Sequence, residues 1–296
     1  MLDTWTNEIN KKLEEVLKDY VAWDKIREMM HYSLIPAGKL FRPLLITHLA
    51  KDLGEVNPEH YQFASSIETH HCYTLIHDDL PAMDNDDYRR GKLSSHKKFS
   101  EWEAILTGDA LLNLSFQILA KLPPKYLPEI LEIYGDYTGA NGLIKGQIID
   151  MHAQSKSLDD ILEIHLNKTA ALMQLSLEGC CILSNRPDLR SDIKEVGHII
   201  GINFQLLDDL CELTEEVSGH EINANPFLNF PVNEIMKIIE ANHLKLKRIF
   251  ADHKLVNLQN YFEIYSSNIL AKLNAGCDQI HIATKLETSS WDFLKN

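Results

Sequence analysis

HDDLPAMDNDDYRRGK, residues 77–92, ends an apolar run with helical spacing that begins near Tyr61, and the join between the two is unusual. Five aspartates (78, 79, 84, 86 and 87) fall within ten residues, and Arg89 and Arg90 follow at once. A solvated acidic loop does not normally emerge directly from a helix built for the core. Carboxylates placed there suit a hard divalent cation, which takes oxygen ligands in octahedral array and shares its shell with water and phosphate. Seven residues back, His71 lies on the same side of the helix as Asp78. Composition alone also allows a plain acidic surface loop with incidental Arg pairing; attachment to a buried helix argues for the metal reading.

Working outward, helical periodicity dominates and strand signals are scarce, with no Asn-Gly or Asp-Gly turn joining two alternating runs. The pattern predicts an amphipathic helix over residues 8–33, ended by Pro36 and Gly38, then a helix begun at Pro43 with Leu44, Leu45, Leu49 and Leu53 on its apolar side. Further helices are expected from Tyr61 to Asp79, Trp102 to Leu122, Pro128 to His152, Ser157 to Ser184 and Ile193 to Glu216. A loop is expected from Val217 to Pro231, then two or three closing helices. No repeat, linker or low-complexity segment interrupts the chain. The expectation is therefore one all-α domain over residues 1–296, a large helical bundle with apolar central helices.

Composition narrows the chemistry. The chain has 296 residues, 45% hydrophobic and 24% charged, enough to bury a core without disulfides or a structural metal. A formal net charge of −14 argues against nucleic acid as a partner, because phosphate backbones are held by clustered Lys and Arg. It does not exclude a phosphorylated substrate, since divalent cations invert the local charge of an Asp-rich site. The five cysteines form no CxxC pair and read as free thiols of a reducing compartment. The charged N-terminus and the lack of any run of about 18 apolar residues predict a cytoplasmic protein with no membrane span. His31, His48, His70 and His96 carry no assigned role, although His96 lies near the first motif.

A second acidic stretch, FQLLDDLCE at residues 204–212, puts Gln205, Asp208, Asp209 and Glu212 at i, i+3, i+4 and i+7 on one helical stripe. Apolar neighbours (Leu206, Leu207, Leu210) turn that stripe toward an interior cavity, where two carboxylates suffer desolvation and repulsion unless a cation compensates. Alone, such a stripe is more often a solvated face. Two carboxylate pairs, each at the inner end of an apolar helix, describe a two-walled metal cage.

Together these residues resemble the short-chain trans-prenyl diphosphate synthases, the farnesyl and geranylgeranyl diphosphate synthase family. The family's first Asp-rich motif, DDxxxxD in many bacterial members, matches Asp78, Asp79 and Asp84, and its DDxxD matches Asp208, Asp209 and Glu212. Its GGKxxRP element stands here as AGKLFRP, with Lys39 and Arg42, and GDALL (108–112), GQIID (146–150) and IHLNKTA (164–170) are further landmarks. The resemblance implies a helical bundle around a deep cavity, a homodimer, and about three Mg²⁺ held against an allylic diphosphate by Asp78, Asp79, Asp84 and Asp208, with Asp209 and Glu212 as further ligands. It implies that Lys39, Arg42, His71 and Arg90 bind the diphosphate of isopentenyl diphosphate, Arg89 the allylic diphosphate, and that Lys168, Thr169 and Gln205 line the reaction centre. Tyr73, five residues before the first Asp, and the Pro81-Ala82 insertion resemble the bacterial farnesyl type, hence a C15 product over C20; Tyr73 also reads as a plain core aromatic.

The chain departs from the pattern after its second motif. From Lys194 to Lys237 there is no intervening Lys or Arg, and Phe227 stands nearest to where the family places its second Lys. Glu212 replaces Asp, and the C-terminal SSWDFLKN lacks a clear basic tail. The loss predicts weakened allylic diphosphate binding, and it keeps open a weakened family member serving as partner subunit or isoprenoid binder. A terpene cyclase is disfavoured, because Lys39, Arg42 and His71 would have no task there.

Overall fold

The computed structural model describes residues 2–152, 157–214 and 225–295, residues 2 and 3 by backbone alone. The chain separates into two compact units, Met1–Gly135 with Gly179–Pro187 and Asp136–Glu178 with Asp188–Asn296. As expected, the fold is all-α.

The first unit contains α1 (Leu2–Tyr20), α2 (Asp24–Leu34), α3 (Phe41–Asp52), α4 (Pro58–Asp78), α5 (Ser95–Lys98) and α6 (Glu101–Leu119). Helix α4 packs against α1, α3 and α6, with Phe63, Ala64 and Ile67 fully buried. Pro58 starts it, because a fixed φ suits the first helical position and the missing N–H has no intrahelical partner to lose. The preceding Asn57 N–H donates to His60 Nδ1 at 3.0 Å. Ser66 Oγ donates to the Ser115 carbonyl of α6 at 2.9 Å, so a polar side chain inside the core is satisfied by the neighbouring backbone. Pro43 sits in the first turn of α3, and Leu44, Leu45 and Leu49 are buried as their spacing required.

The single helix expected over 8–33 is two helices, with a break at residues 21–23. No Pro or Gly marks this break; Arg27 Nη1 caps the freed Val21 carbonyl at 2.6 Å, and α1 packs back on α2. Residues 128–152 likewise divide into α7 (Leu127–Thr138) and α8 (Leu143–His152). Gly142 turns the chain there where a Cβ would collide with the Tyr137 carbonyl. After the first acidic motif a hairpin appears that the sequence reading lacked, with Tyr88–Arg89 paired antiparallel to Lys92–Leu93. Arg90 and Gly91 form its turn at φ 53° and 73°, the left-handed pair that a two-residue hairpin needs. Strands of two residues leave no alternation to read.

The second unit contains α8, α9 (Leu158–Ile164), a π-helical turn His165–Ala170, α11 (Arg190–Glu212), α12 (Pro226–Asn229), α13 (Val232–His253), α14 (Val256–Ala275), α15 (Cys277–Thr284) and a terminal 3₁₀ segment Thr288–Lys295. Helix α10 (Ala171–Leu183), like α7, carries residues of both units. The apolar side of α11 (Leu206, Leu207, Leu210) packs with Phe227, Ile235, Ile239, Leu273 and Trp291 into one core. Helix α11 starts three residues earlier than expected. The loop expected over Val217–Pro231 lies outside the described residues as far as 224, and Pro226–Asn229 within it form a helical turn. Among the described residues no helix is long and apolar enough to cross a membrane, and none of the five cysteines is in a disulfide.

Candidate active site

In the first unit the acidic motif begins where α4 stops. Pro81 cannot continue the helix, and the chain folds back so that the Asp84 N–H donates to the Asp78 carbonyl at 2.9 Å. The Leu80 carbonyl takes the N–H groups of Met83 (2.9 Å) and Asn85 (3.1 Å), with Asn85 in the left-handed region at φ 56°. This closed turn ties the backbone of Asp84, whose side chain is exposed, to that of the half-buried Asp78. Asp79 is buried, and Arg89 binds it through two donors, Nε at 2.9 Å and a close Nη2, while Nη2 also reaches Asp86 at 2.9 Å. Burial raises the Asp79 pKa, with the Arg89 hydrogen bonds and charge opposing. Burial works against the Arg89 charge, but Asp79, Asp86 and Asp78 outweigh it and raise the guanidinium pKa.

A second group forms in the same unit. Arg42, in the first turn of α3, donates Nη1 to His71 Nε2 at 3.2 Å. An arginine cannot accept, so His71 is a neutral imidazole with its proton on Nδ1. Burial first, then the charges of Arg42 and Arg90, holds His71 well below its ordinary pKa. Arg90 lies against Gly38, where a Cβ would sit 2.6 Å from its Cζ. Its Nη2 lies 3.7 Å from Glu68 Oε1, a carboxylate that is only 2% exposed. Burial lowers Arg42 to about 10, Glu68 opposing, so it stays charged at neutral pH. Lys39, next to Gly38, is exposed. Tyr73, on α4, is buried and meets the rings of His70 (4.7 Å) and His77 (5.5 Å) edge-on.

In the second unit the π-helical turn presents Lys168 and Thr169. Gly146 of α8 admits the backbone of residues 167 and 168, where any Cβ would collide with it. Lys168 Nζ reaches Asp150 at 3.0 Å. Thr169 Oγ1 donates to Gln205 Oε1 (3.1 Å), and Gln205 Nε2 donates to Asp209 Oδ1 (3.2 Å), so the turn and α11 share one polar chain. His165 Nε2 stands 3.5 Å from Asp209 Oδ2, and Asn225 Nδ2 donates to the Asp209 carbonyl at 2.6 Å. The four-residue stripe does not present one uniform wall: Gln205 and Asp209 turn inward, whereas Asp208 and Glu212 are exposed. Spacing alone could not separate these two sides of a single arc. Burial raises the Asp209 pKa well above the usual carboxylate range, its Gln205 hydrogen bond opposing and the charges of Glu212 and Asp208 adding to it.

The donor set suits Mg²⁺ chemically. All candidate ligands are carboxylates, and Asp209 Oδ2 is buried without a hydrogen-bond donor. Among the described residues no three acidic, His or Cys side chains converge to hold an ion by themselves. Sequence reasoning missed Gly38, Glu68, Asp150, His165 and Asn225. Glu68 had a signal, as a charged residue amid the apolar run of α4; Asp150 and His165 lay inside landmarks whose geometry no spacing could supply.

Residues 24–243 match the family model described as polyprenyl synthetase. The chain is 37% identical over 212 residues to the farnesyl diphosphate synthase of Micrococcus luteus, covering 70% of this chain and 72% of that one. It is 33% identical over 238 residues to the farnesyl diphosphate synthase of Geobacillus stearothermophilus, covering 76% and 80%. Its fold matches the crystal structure of a geranyltransferase from Legionella pneumophila with a TM-score of 0.75, 29% identity and 97% of both chains covered. By matched span, relatives and fold, the chain belongs to the polyprenyl synthetase family, as a short-chain trans-prenyl diphosphate synthase type.

Proposed function

We propose that the protein joins isopentenyl diphosphate to an allylic diphosphate, dimethylallyl or geranyl, and that farnesyl diphosphate is its main product. The cluster of Arg42, His71 and Arg90 beside Lys39 carries this reading: it forms an anion site that draws on none of the Asp78–Asp79–Asp84 carboxylates. Two diphosphate substrates need two such sites.

In this reading the allylic C1–O bond breaks and its electron pair leaves with the diphosphate. The double bond of isopentenyl diphosphate then forms the new C–C bond, and the proton lost from the adduct goes to the released diphosphate. Asp78, Asp79 and Asp84 of the first motif, and Asp208, Asp209 and Glu212 of the second, would hold Mg²⁺, about three ions as the family resemblance implies, and the metal would supply Lewis-acid stabilisation of that leaving group. Arg89, braced by Asp79 and Asp86, offers a fork of donors to the same oxygens. The Thr169 and Gln205 dipoles and the Lys168 side chain line the reaction centre, while apolar neighbours exclude water that would quench the allylic cation. Tyr73 limits the growing tail.

In this reading residues 1–296 act as one functional domain, in a cytoplasmic homodimer. The test is incubation with labelled isopentenyl diphosphate, geranyl diphosphate and Mg²⁺, with and without a chelator. A labelled C15 product lost on chelation supports the reading; cyclised farnesyl diphosphate, or no turnover with any allylic substrate, refutes it.

Phe227 favours a second reading, a weakened member acting as partner subunit or isoprenoid binder. Its ring fills the core with Leu207 and Leu210, so no cation extends from this position. Tight binding of an allylic diphosphate without condensation would select this alternative.

A further inference from the structure

A carboxylate on the buried face of an apolar helix needs a reason, because moving an ion out of water costs several kcal/mol even after relaxation. Glu68 is such a group. It lies on α4 three residues before His71, is 2% exposed, and belongs to neither acidic motif. Three observations converge on it. Arg90 Nη2 is 3.7 Å from its Oε1. Its charge and that of Arg90 act in opposite senses on buried Arg42, which hydrogen-bonds His71. The Arg90 guanidinium that it faces is wedged over Gly38, on a hairpin turn whose left-handed φ of 53° fixes where the side chain starts.

We propose that Glu68 is a positioning residue. It holds the guanidinium of Arg90, and through charge that of Arg42, in the arrangement that receives the diphosphate of isopentenyl diphosphate. Two like charges converging on one pocket repel, and without a counter-charge the mobile one swings toward solvent. Arg42 cannot move, being seated in the first turn of α3; Arg90, on an exposed hairpin, can. Glu68 supplies the counter-charge from behind, so the arginines stand ready before substrate arrives and less ordering is lost on binding. This role rests on the proposed function, since it presumes that Arg42 and Arg90 meet that diphosphate.

The experiment compares wild type, Glu68→Gln, Glu68→Asp, Arg90→Ala and the Glu68→Gln/Arg90→Ala double variant. The Michaelis constant for each substrate is read beside the calorimetric affinity for isopentenyl diphosphate and the unfolding midpoint. Glu68→Gln keeps the shape and removes the charge, and its isopentenyl diphosphate constant is expected to rise about tenfold, the scale of one charge-assisted contact. The allylic constant should change less than twofold, and Glu68→Asp should recover part of the loss. In the Arg90→Ala background the Gln substitution should add almost nothing, because its partner is gone. Equal rises for both substrates, unchanged or tighter isopentenyl diphosphate binding, or full additivity with Arg90→Ala would overturn the proposal. A wild type that binds isopentenyl diphosphate without turning it over sinks the enzymatic reading alone, since calorimetry of Glu68→Gln still decides the positioning role.

Discussion

Gly38→Ala adds one methyl group, and the structure says where it goes. The new Cβ would lie 2.6 Å from Arg90 Cζ and 2.8 Å from Nε and Nη2. Heavy atoms rest at about 3.5–4.0 Å, so the guanidinium must retreat by on the order of 1 Å. Gly38 is outside the left-handed region, and the three atoms nearest to the new Cβ all belong to the end of one flexible side chain. Folding should be nearly untouched, with an unfolding midpoint within a degree or two of wild type. Binding should not be. Charge-assisted bonds to phosphate span about 2.7–2.9 Å, and a displacement of that size breaks them. Such a contact is worth about 1.5–3 kcal/mol, which corresponds to roughly a tenfold to 150-fold rise in the Michaelis constant. The assay is initial rate against isopentenyl diphosphate at saturating geranyl diphosphate, with Gly91→Ala as control. Gly91 has φ 73° and open space around its Cβ position, so alanine there costs about 1–2 kcal/mol of backbone strain without a clash. An unchanged isopentenyl diphosphate constant in Gly38→Ala would refute the placement of Arg90 in that site.

Three further outcomes follow from buried positions. Tyr73→Ala, which removes a ring packed against His70 and His77, should shift products beyond C15; retention of C15 alone would show Tyr73 to be only a core aromatic. His70 is buried between Tyr73 and Tyr134, and burial lowers its pKa to about 3. The unfolded chain takes up a proton below about pH 6.5 that the native state refuses, so His70 costs up to about 1.4 kcal/mol of stability per pH unit as pH falls from there. Urea unfolding of His70→Phe at pH 7 and pH 5 should therefore lose less stability on acidification than wild type, and equal losses would contradict this. Phe227→Lys should lower the unfolding midpoint sharply, because an unpaired ammonium enters a packed core, and should not tighten allylic diphosphate binding; a stable, tighter-binding variant would place that side chain wrongly.

How far the sequence could be read depended on the range of the forces involved. Helix type and the ends marked by Pro81 and Ser157 were legible, because capping and proline sterics act within one turn, whereas the helix expected from Tyr61 begins three residues earlier at Pro58. The break at residues 21–23 was not, since no local breaker enforces it and its stabilisation comes from Arg27 and tertiary packing. The π-helical turn at His165–Ala170 looks like ordinary helix in sequence; the close approach of Gly146 and the polar link from Thr169 to Gln205 accompany it only in space. The motif aspartates were conspicuous, yet the difference between Arg-bound Asp79 and exposed Asp84 depends on a hairpin too short to leave a pattern.

A net charge of −14 is no bar to the proposed binding of two polyanions. At physiological salt, charges more than about 8 Å apart are largely screened, so a net charge of −14 spread over the surface matters less than the few ions touching the ligand. The first unit brings Arg42 and Arg90 together and offsets their repulsion with buried Glu68. It pairs Arg89 with Asp79 and Asp86 in the same manner. In the proposed function each guanidinium meets substrate already oriented, with a buried carboxylate, Glu68 or Asp79, as counter-charge. Affinity in this arrangement follows the position of a few atoms more than total charge. A neutral methyl group at Gly38 should accordingly weaken binding more than an exposed lysine exchanged for glutamate on a distant helix.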